Sequence, residues 1–507
     1  MPTSSSTPPC ALFRKSCSSD LYPLRVLGLW LSLALAGWAQ PEPQPTPQLA
    51  PAPVVASKRF LIAYQESLRF AEAPALPLPA EAQGGICKWE KKGDSWFVTG
   101  LTPGVLSFDW GKVHWEVLVR ERALKAPAQA SLTVFGGYPP AQALIHWARD
   151  FLHPSAELKE QGATLLARGV DLIAFEGSPK FQVKEEVVPA RKADGLILSN
   201  WPEKIETDQV LLEAPLPPQR QWRVMVHHRN LPGQPARWLE VEIVQPAQAD
   251  QRYAISSYLA GPSGDEIFAG HLAAFRYFRD LSGDRPSGYV TSVGAGRRHL
   301  VERAWLKPGQ TVSAMLGIRS LEPRPVGAML KVSVRTPDNL ETLSLQPLDG
   351  SARTARGVFA GEILRELTYK IGPAYLFEDI GGQPYLKEVA GGTPSPGNFG
   401  AVYRYRWLLD NATNQDQEVR MEMSARGGPA RACLWLDGDC IETELLKAEP
   451  RLLKRWVVAA GTQLPVTMET FPQAGSNFPL SLTLSSRPAS AAATPRIPGS
   501  VQEWYIP

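Results

Sequence analysis

The sequence predicts a mainly β, multidomain protein: a small N-terminal β-domain, a small α+β unit, then two β-sandwich modules, the first with a helical insertion. Three observations lead there. Proline and glycine are abundant, at 47 and 41 of 507 residues, which favours short strands joined by turns over long helices. Apolar and polar residues alternate over short runs along most of the chain. The second half of the chain also repeats itself, which points to duplicated modules. A hydrophobic content of 44% with 20% charged residues suits folded globular domains. The length allows three or four of them, at about 100–200 residues each.

Residues 1–39 read as a signal peptide. Arg14, Lys15 and Arg25 precede an apolar run from Val26 to Ala36, which has the length of a signal core and is short for a bilayer span. Small-residue cleavage options follow at Ala36 and Ala39. The expected location is therefore exported: periplasmic, cell-surface or extracellular, with no transmembrane anchor beyond the signal. The formal net charge is +3 and falls closer to neutrality on processing, without the concentrated basic face that nucleic-acid binding needs. Residues 40–57 form a Pro-rich linker, extended and solvated.

Residues 58–123 read as the small β-domain. Apolar stretches at 60–63, 96–98, 105–108 and 114–119 are divided by turn chemistry at Gly93-Asp94 and Pro103-Gly104. The segment from Val98 to Gly104, with the strands that follow it to Val119, resembles the short N-terminal β-domain of secretin and pilus-formation proteins. It also resembles the bacterial Ig-like repeat. The resemblance covers about an eighth of the chain, and it implies a place in the cell envelope without implying an activity.

Residues 124–192 read as the α+β unit. Pro139-Pro140 opens a helix through Leu152 that stops before Pro154, and strand-like runs follow at 170–175 and 181–184. Residues 193–336 and 357–486 then hold the repeat. Trp222 to Asn230, a polar turn and Leu239 to Val244 match Ala401 to Asn411, a polar turn and Val419 to Met423. Each pair reads as a hairpin joined at an asparagine. The stretch around Pro308-Gly309-Gln310 matches that around Ala460-Gly461-Thr462, and an alternating strand closes each copy. The first copy carries extra residues at 263–291. Asp265 and Glu266 stand at the start of a helical pattern there, with apolar residues at 268, 272, 275 and 278/281. Two sandwiches of Ig-like pattern follow from this reading. Residues 487–507 are a low-complexity tail.

The chemistry-bearing signals are few. The chain lacks a Gly-x-Ser-x-Gly elbow, a His-Glu-x-x-His pair, a phosphate-binding glycine loop and a dinucleotide fingerprint. No cofactor, metal site or catalytic residue is inferred, and the balance leans away from an enzyme. Cys433 and Cys440 form the candidate disulfide, although a two-residue turn at Asp437-Gly438 would set Cys440 opposite Trp435 instead. His271, Arg276 and Arg279 on the inserted helix are a candidate anion contact. His227 and His228 are adjacent in a strand and point to opposite faces, one expected packed and one solvated. His146 and Asp150, four apart, share a helix face. Asn411-Ala412-Thr413 is a glycosylation sequon expected on an exposed turn. Tryptophans are numerous, at 15, and are expected chiefly in domain cores.

The function these features support is that of an exported envelope or surface protein with a binding or scaffold role, its partner an envelope protein or a surface polysaccharide. Two alternatives stand beside it. One is a carbohydrate-binding or carbohydrate-active protein using exposed aromatic faces, and the other is an accessory factor of a secretion or pilus apparatus. The whole resembles exported bacterial proteins that join a pilus-type or Ig-like N-terminal β-domain to repeated β-modules.

Overall fold

The computed structural model describes residues 56–489, apart from 71–75, 128, 162–163, 248–249, 283–285, 324–326, 340 and 348–354. The segment read as a signal peptide, and nearly all of the segments read as a Pro-rich linker and a low-complexity tail, fall outside the described residues. The described chain is mostly β, in several sheets with two α-helices, as a multidomain β-sandwich protein should be.

The N-terminal unit packs two small sheets. In one, Val113–Arg122 lies between Ala56–Ala63, parallel to it, and Gly104–Trp110, antiparallel. In the other, Ser95–Gly100 lies between Ser67–Phe70 and Cys87–Lys92. The core between them is largely aromatic. Phe60, Phe70, Trp89, Phe108, Trp110 and Trp115 stack edge-to-face or in parallel, with Trp110 and Trp115 each 1% exposed. Large rings let a unit this small bury enough apolar surface to order itself. Gly100 sits where the two sheets meet, and a Cβ there would lie 2.7 Å from Val119 Cγ1.

The two sandwiches share one topology, strand for strand. In the first, the larger sheet runs Gly195–Ser199, Gln221–Asn230, Thr311–Ser320, Gln251–Ser263, Gly288–Val293. In the second, the same places are taken by Glu362–Lys370, Val402–Asp410, Gln463–Thr470, Cys433–Leu436 and Asp439–Glu442. The smaller sheets correspond as well: Gln209–Pro215, Met329–Arg335, Arg237–Val244, Arg298–Leu306 against Leu376–Ile380, Leu480–Pro488, Gln417–Ala425, Arg451–Val458. One bulge coincides as well, at Val241/Glu242 and Met421/Glu422.

This corrects the reading of the repeated strand pairs as hairpins. Gln221–Asn230 and Arg237–Val244 lie in opposite sheets, as do Val402–Asp410 and Gln417–Ala425, so each connection is a corner that crosses the sandwich. The asparagine at the corner explains why the pattern repeats. Asn230 Nδ2 donates to Pro235 O and Leu306 O at 2.9 and 3.1 Å, tying the corner to the opposite sheet. Asn411 Nδ2 donates in the same way to Gln415 O, Val458 O and Ala459 O. Both asparagines are completely buried, so the turn after Asn411 is exposed as expected but the acceptor asparagine itself is not.

Segments before the first sandwich join it. Gln129–Phe135 pairs with Gly288–Val293, and Lys180–Glu185 pairs with Gln129–Phe135, so both extend the first sandwich's larger sheet. The first helix, α1 (Pro140–Arg149), opens at the predicted prolines. It is held by Arg149 against Glu302 at 2.8 Å, while the following Asp150 accepts from His299 at 2.7 Å. His146 and Asp150 therefore hold separate partners, His146 bonding Tyr138 and Val301 O.

The helical insertion forms α2 (Glu266–Ser282), close to the predicted bounds. It occupies the tip between Gln251–Ser263 and Gly288–Val293. The equivalent tip of the second sandwich is the two-residue turn Asp437-Gly438, with φ of 50° and 85°. Residues with positive φ at both central positions suit a tight hairpin turn, and Asp-Gly supplies them.

Candidate functional site

The larger sheets of the two sandwiches face each other, and α2 is wedged between them. On the first sheet, Trp222, Val224 and Val226 point into their own sandwich, which leaves Arg223, Met225 and His227 on the other face. On the second, Tyr403, Tyr405 and Trp407 point inward and stack, leaving Val402, Arg404 and Arg406 outward. Where α2 fills the gap, an apolar cluster forms from Leu198, Met225, Ala273, Tyr277, Val402 and Phe471 among others. Small residues let the helix approach closely on both sides. Phe268, expected on the buried stripe, is 38% exposed, while Ala269, Gly270, Ala273 and Ala274 are buried instead. A helix covered on two sides needs small residues more than one broad apolar stripe.

His271 bridges to the second sandwich. Its Nδ1 lies 2.7 Å from Gln473 Oε1 and its Nε2 2.6 Å from Glu442 Oε1, so both ring nitrogens face the second sandwich. The hydrogen bond from His271 holds the Glu442 carboxyl below its usual range, against the opposing effect of burial. Arg276 and Arg279 are exposed and bond Leu259 O and Asp280. His271 and Arg279 flank Phe275, the first stacked on its ring and the second over it, while His271 is already committed to Gln473 and Glu442. Cys433 and Cys440 are both free thiols. The tight turn pairs Cys440 with Trp435 and Cys433 with Glu442, which prevents the direct pairing that a staple across this hairpin would need. Gln473 Nε2 donates to Cys433 Sγ at 2.9 Å, and burial pushes both thiols up. His227 and His228 are each 0% exposed, because both faces of their sheet are covered. The expectation of one solvated histidine fails for that reason. Burial lowers them to about 3 and about 4.

Beside α2 the two facing sheets leave a cleft of about 570 Å³, within the range of small-molecule sites. Arg223, Ser256 and Tyr258 line it from the first sandwich, and Arg404, Trp435 and Glu469 from the second. Arg223 is 3% exposed, and its Nη1 donates across the gap to Gly361 O at 2.9 Å and Gly400 O at 3.1 Å. Its guanidinium also stands beside the Tyr277 hydroxyl and opposes the rise that burial imposes on that group. Arg404 is bound by Glu469 and Glu362, the second at 3.2 Å, so these two lining carboxylates share one cation. Asp437 is engaged too, accepting from Trp456 Nε1 and Thr467 N, each at 2.9 Å. Arg191 and Lys192 lie at the exposed rim.

Sequence reasoning missed this cleft and all the residues named in it except those of the Asp-Gly turn. One signal was present: an arginine and a histidine alternate with Met225 on the face opposite Trp222, Val224 and Val226. A half-buried strand would show only polar residues there. The tryptophans follow the core expectation, since none of the 12 described is exposed. Tyr375 and Phe377 are the most exposed large aromatics among the described residues, each 63% exposed and stacked 6.0 Å apart. Among the described residues no group of three or more His, Cys, Asp or Glu could hold a metal ion, and no helix is long and apolar enough to cross a membrane.

No protein-family model matches the chain, and no curated protein matches it significantly. Among solved structures, an anti-sigma factor domain-containing protein from Clostridium clariflavum is 12% identical, over 53% of this chain and 79% of its own, with a TM-score of 0.14. The PBSX exported protein XepA is 12% identical over 65% of this chain and 95% of its own, with a TM-score of 0.14. The CBM22-1-CBM22-2 tandem domain of Paenibacillus barcinonensis Xyn10C is 9% identical over 57% and 94%, with a TM-score of 0.12. At such scores the likeness extends only to a shared richness in β-strands.

Proposed function

We propose that this chain is an exported binding protein of the cell envelope or surface, and that its ligand seats in the cleft between the two sandwiches. The observation that carries the reading is the construction of that cleft. Its walls come from both sandwiches, and Arg223 and α2 hold them at a fixed separation. Preorganised walls favour binding because little order has to be created when the ligand arrives. The carboxylates on the walls are already bound to Arg404 and to the Asp437 network, which suits recognition better than proton transfer. The N-terminal charge-then-apolar pattern and the Pro-rich linker support export.

The test is capture of the source organism's envelope components by purified residues 40–507, with envelope samples treated with protease or stripped of polysaccharide. A Ser256→Phe variant, which fills the cleft, runs alongside. Capture lost on protease treatment identifies a protein partner, and capture lost on stripping identifies a glycan. Capture unchanged by Ser256→Phe would remove the cleft from the reading. Mature protein found in the cytoplasm would remove the export half.

A further inference from the structure

We infer that the cleft receives a small molecule with an oxyanion head, carboxylate, sulfonate or phosphate, carried on an aromatic or apolar body; this rests on the reading of the cleft as the binding site. The argument starts from hydrogen-bonding groups left without partners. Buried polar groups in folded proteins are nearly always hydrogen-bonded, so each exception calls for an occupant. Arg223 Nε, Arg404 Nε and Trp435 Nε1 are buried without an acceptor, and all three residues line this one cleft. These three are N–H donors, and the Tyr405 hydroxyl, also unpaired among the lining residues, can donate as well, so an acceptor-rich occupant complements them.

Charge selects among acceptor-rich occupants. Arg223 is a buried cation held by two backbone carbonyls and the Tyr277 hydroxyl, with no carboxylate partner among the described residues. Buried charges in proteins are paired. With Nη1 committed to Gly361 and Gly400, the Nε edge remains for an anion, and a guanidinium edge matches the geometry of an oxyanion. Arg404 differs, because Glu362 and Glu469 already neutralise it. The body of the ligand follows from the rest of the wall, where Phe135, Tyr258, Phe278, Trp435 and Met468 supply aromatic and apolar surface. Arg191 and Lys192 at the rim add positive potential that would draw an anion in.

The test uses a matched pair of fluorescent probes on the purified full chain: 8-anilinonaphthalene-1-sulfonate, and N-phenyl-1-naphthylamine, which lacks the sulfonate. Saturable binding of the sulfonate, at least tenfold tighter than the uncharged probe, is expected. Ser256→Phe should abolish it with circular dichroism unchanged, and this variant leaves the bonds of Arg223 to the second sandwich in place. Arg223→Lys should weaken the sulfonate at least tenfold and leave the uncharged probe unaffected. Equal affinity of the two probes, absence of saturable sulfonate binding, or binding that survives Ser256→Phe would each overturn the inference. If envelope capture depends on the cleft while the sulfonate fails to bind, the ligand class falls and the cleft stands. If Ser256→Phe changes neither readout, both fall.

Discussion

Gly270 offers the sharpest test of the way α2 joins the sandwiches. It sits in the helix facing residues 474–475, where a Cβ would come within 2.6 Å of the Ala474 carbonyl carbon and closer still to its oxygen. Real Cβ atoms do not approach backbone that closely, and neither backbone can swing away as a flexible side chain would. Gly475, with φ of 74°, makes the reciprocal approach to the carbonyl of Glu266. In an exposed helix, Gly→Ala would stabilise by about 1 kcal/mol through backbone entropy alone. Here Gly270→Ala must push the second sandwich away by more than an ångström, stretching the His271–Glu442 bond and loosening the apolar cluster around Tyr277 and Phe471. Overpacking alone costs about 1–3 kcal/mol. Adding the loss of a buried charged hydrogen bond, about 1.5–3 kcal/mol, and subtracting the helix gain leaves a net loss of roughly 1.5–5 kcal/mol. Calorimetry should show a lower, broadened transition as the sandwiches uncouple. Gly264→Ala, where a Cβ meets nothing within 4 Å, should leave the transition unchanged. A melting temperature for Gly270→Ala equal to or above that of the parent would refute the packing described.

Three further outcomes follow from burial. His227 and His228, neutral when folded with values of about 3 and about 4, take up protons only on unfolding. Their contribution is complete above about pH 6.5 and is lost as the pH falls towards 4, at roughly 1.4 kcal/mol per unit for each ring. Urea midpoints should drop between pH 7 and pH 5, and a flat profile would contradict the burial. Alkylation under denaturing conditions without reductant should modify Cys87, Cys433 and Cys440. In the native protein it should be slow, because burial raises Cys433 and pushes Cys87 up to about 11. A mass two hydrogens short would reveal a bridge. Asn411→Ala removes the donor to three carbonyls, of which Gln415 O and Ala459 O keep the Thr413 and Thr462 hydroxyls, so the change should cost about 1–3 kcal/mol by chemical denaturation. Expression in a glycosylating host should leave Asn411 bare by mass spectrometry.

Much of the architecture was legible because it is local. Alternation and Asp-Gly chemistry reveal the strands of the second sandwich and the register that places Cys440 opposite Trp435. The acidic start at Asp265-Glu266 and the apolar spacing reveal α2. The repeat was visible through its asparagines, yet its geometry was not. A polar turn between two period-2 strands reads the same whether the strands pair with each other or cross to separate sheets. The cleft was illegible for a related reason. Arg223 meets Gly361 and Gly400, more than a hundred residues away, and nothing in one strand's pattern says which surface will cover its outer face. The pair His227-His228 carried that information in disguise, since two adjacent buried histidines require both faces of a sheet to be shut.

The shared topology has a consequence for how far each copy can stand alone. Each sandwich presents its larger sheet to the other, yet the contacts are not mirrored. Arg223 reaches across to Gly361 and Gly400, while Arg404, at the matching place in the second copy, is held by Glu362 and Glu469 of its own sandwich. The helix at the tip of only one copy is what makes the pairing unequal, and the cleft lies in the room that this inequality leaves. Neither sandwich is therefore a portable module. Cut apart, each would present to water the apolar face that its twin now covers.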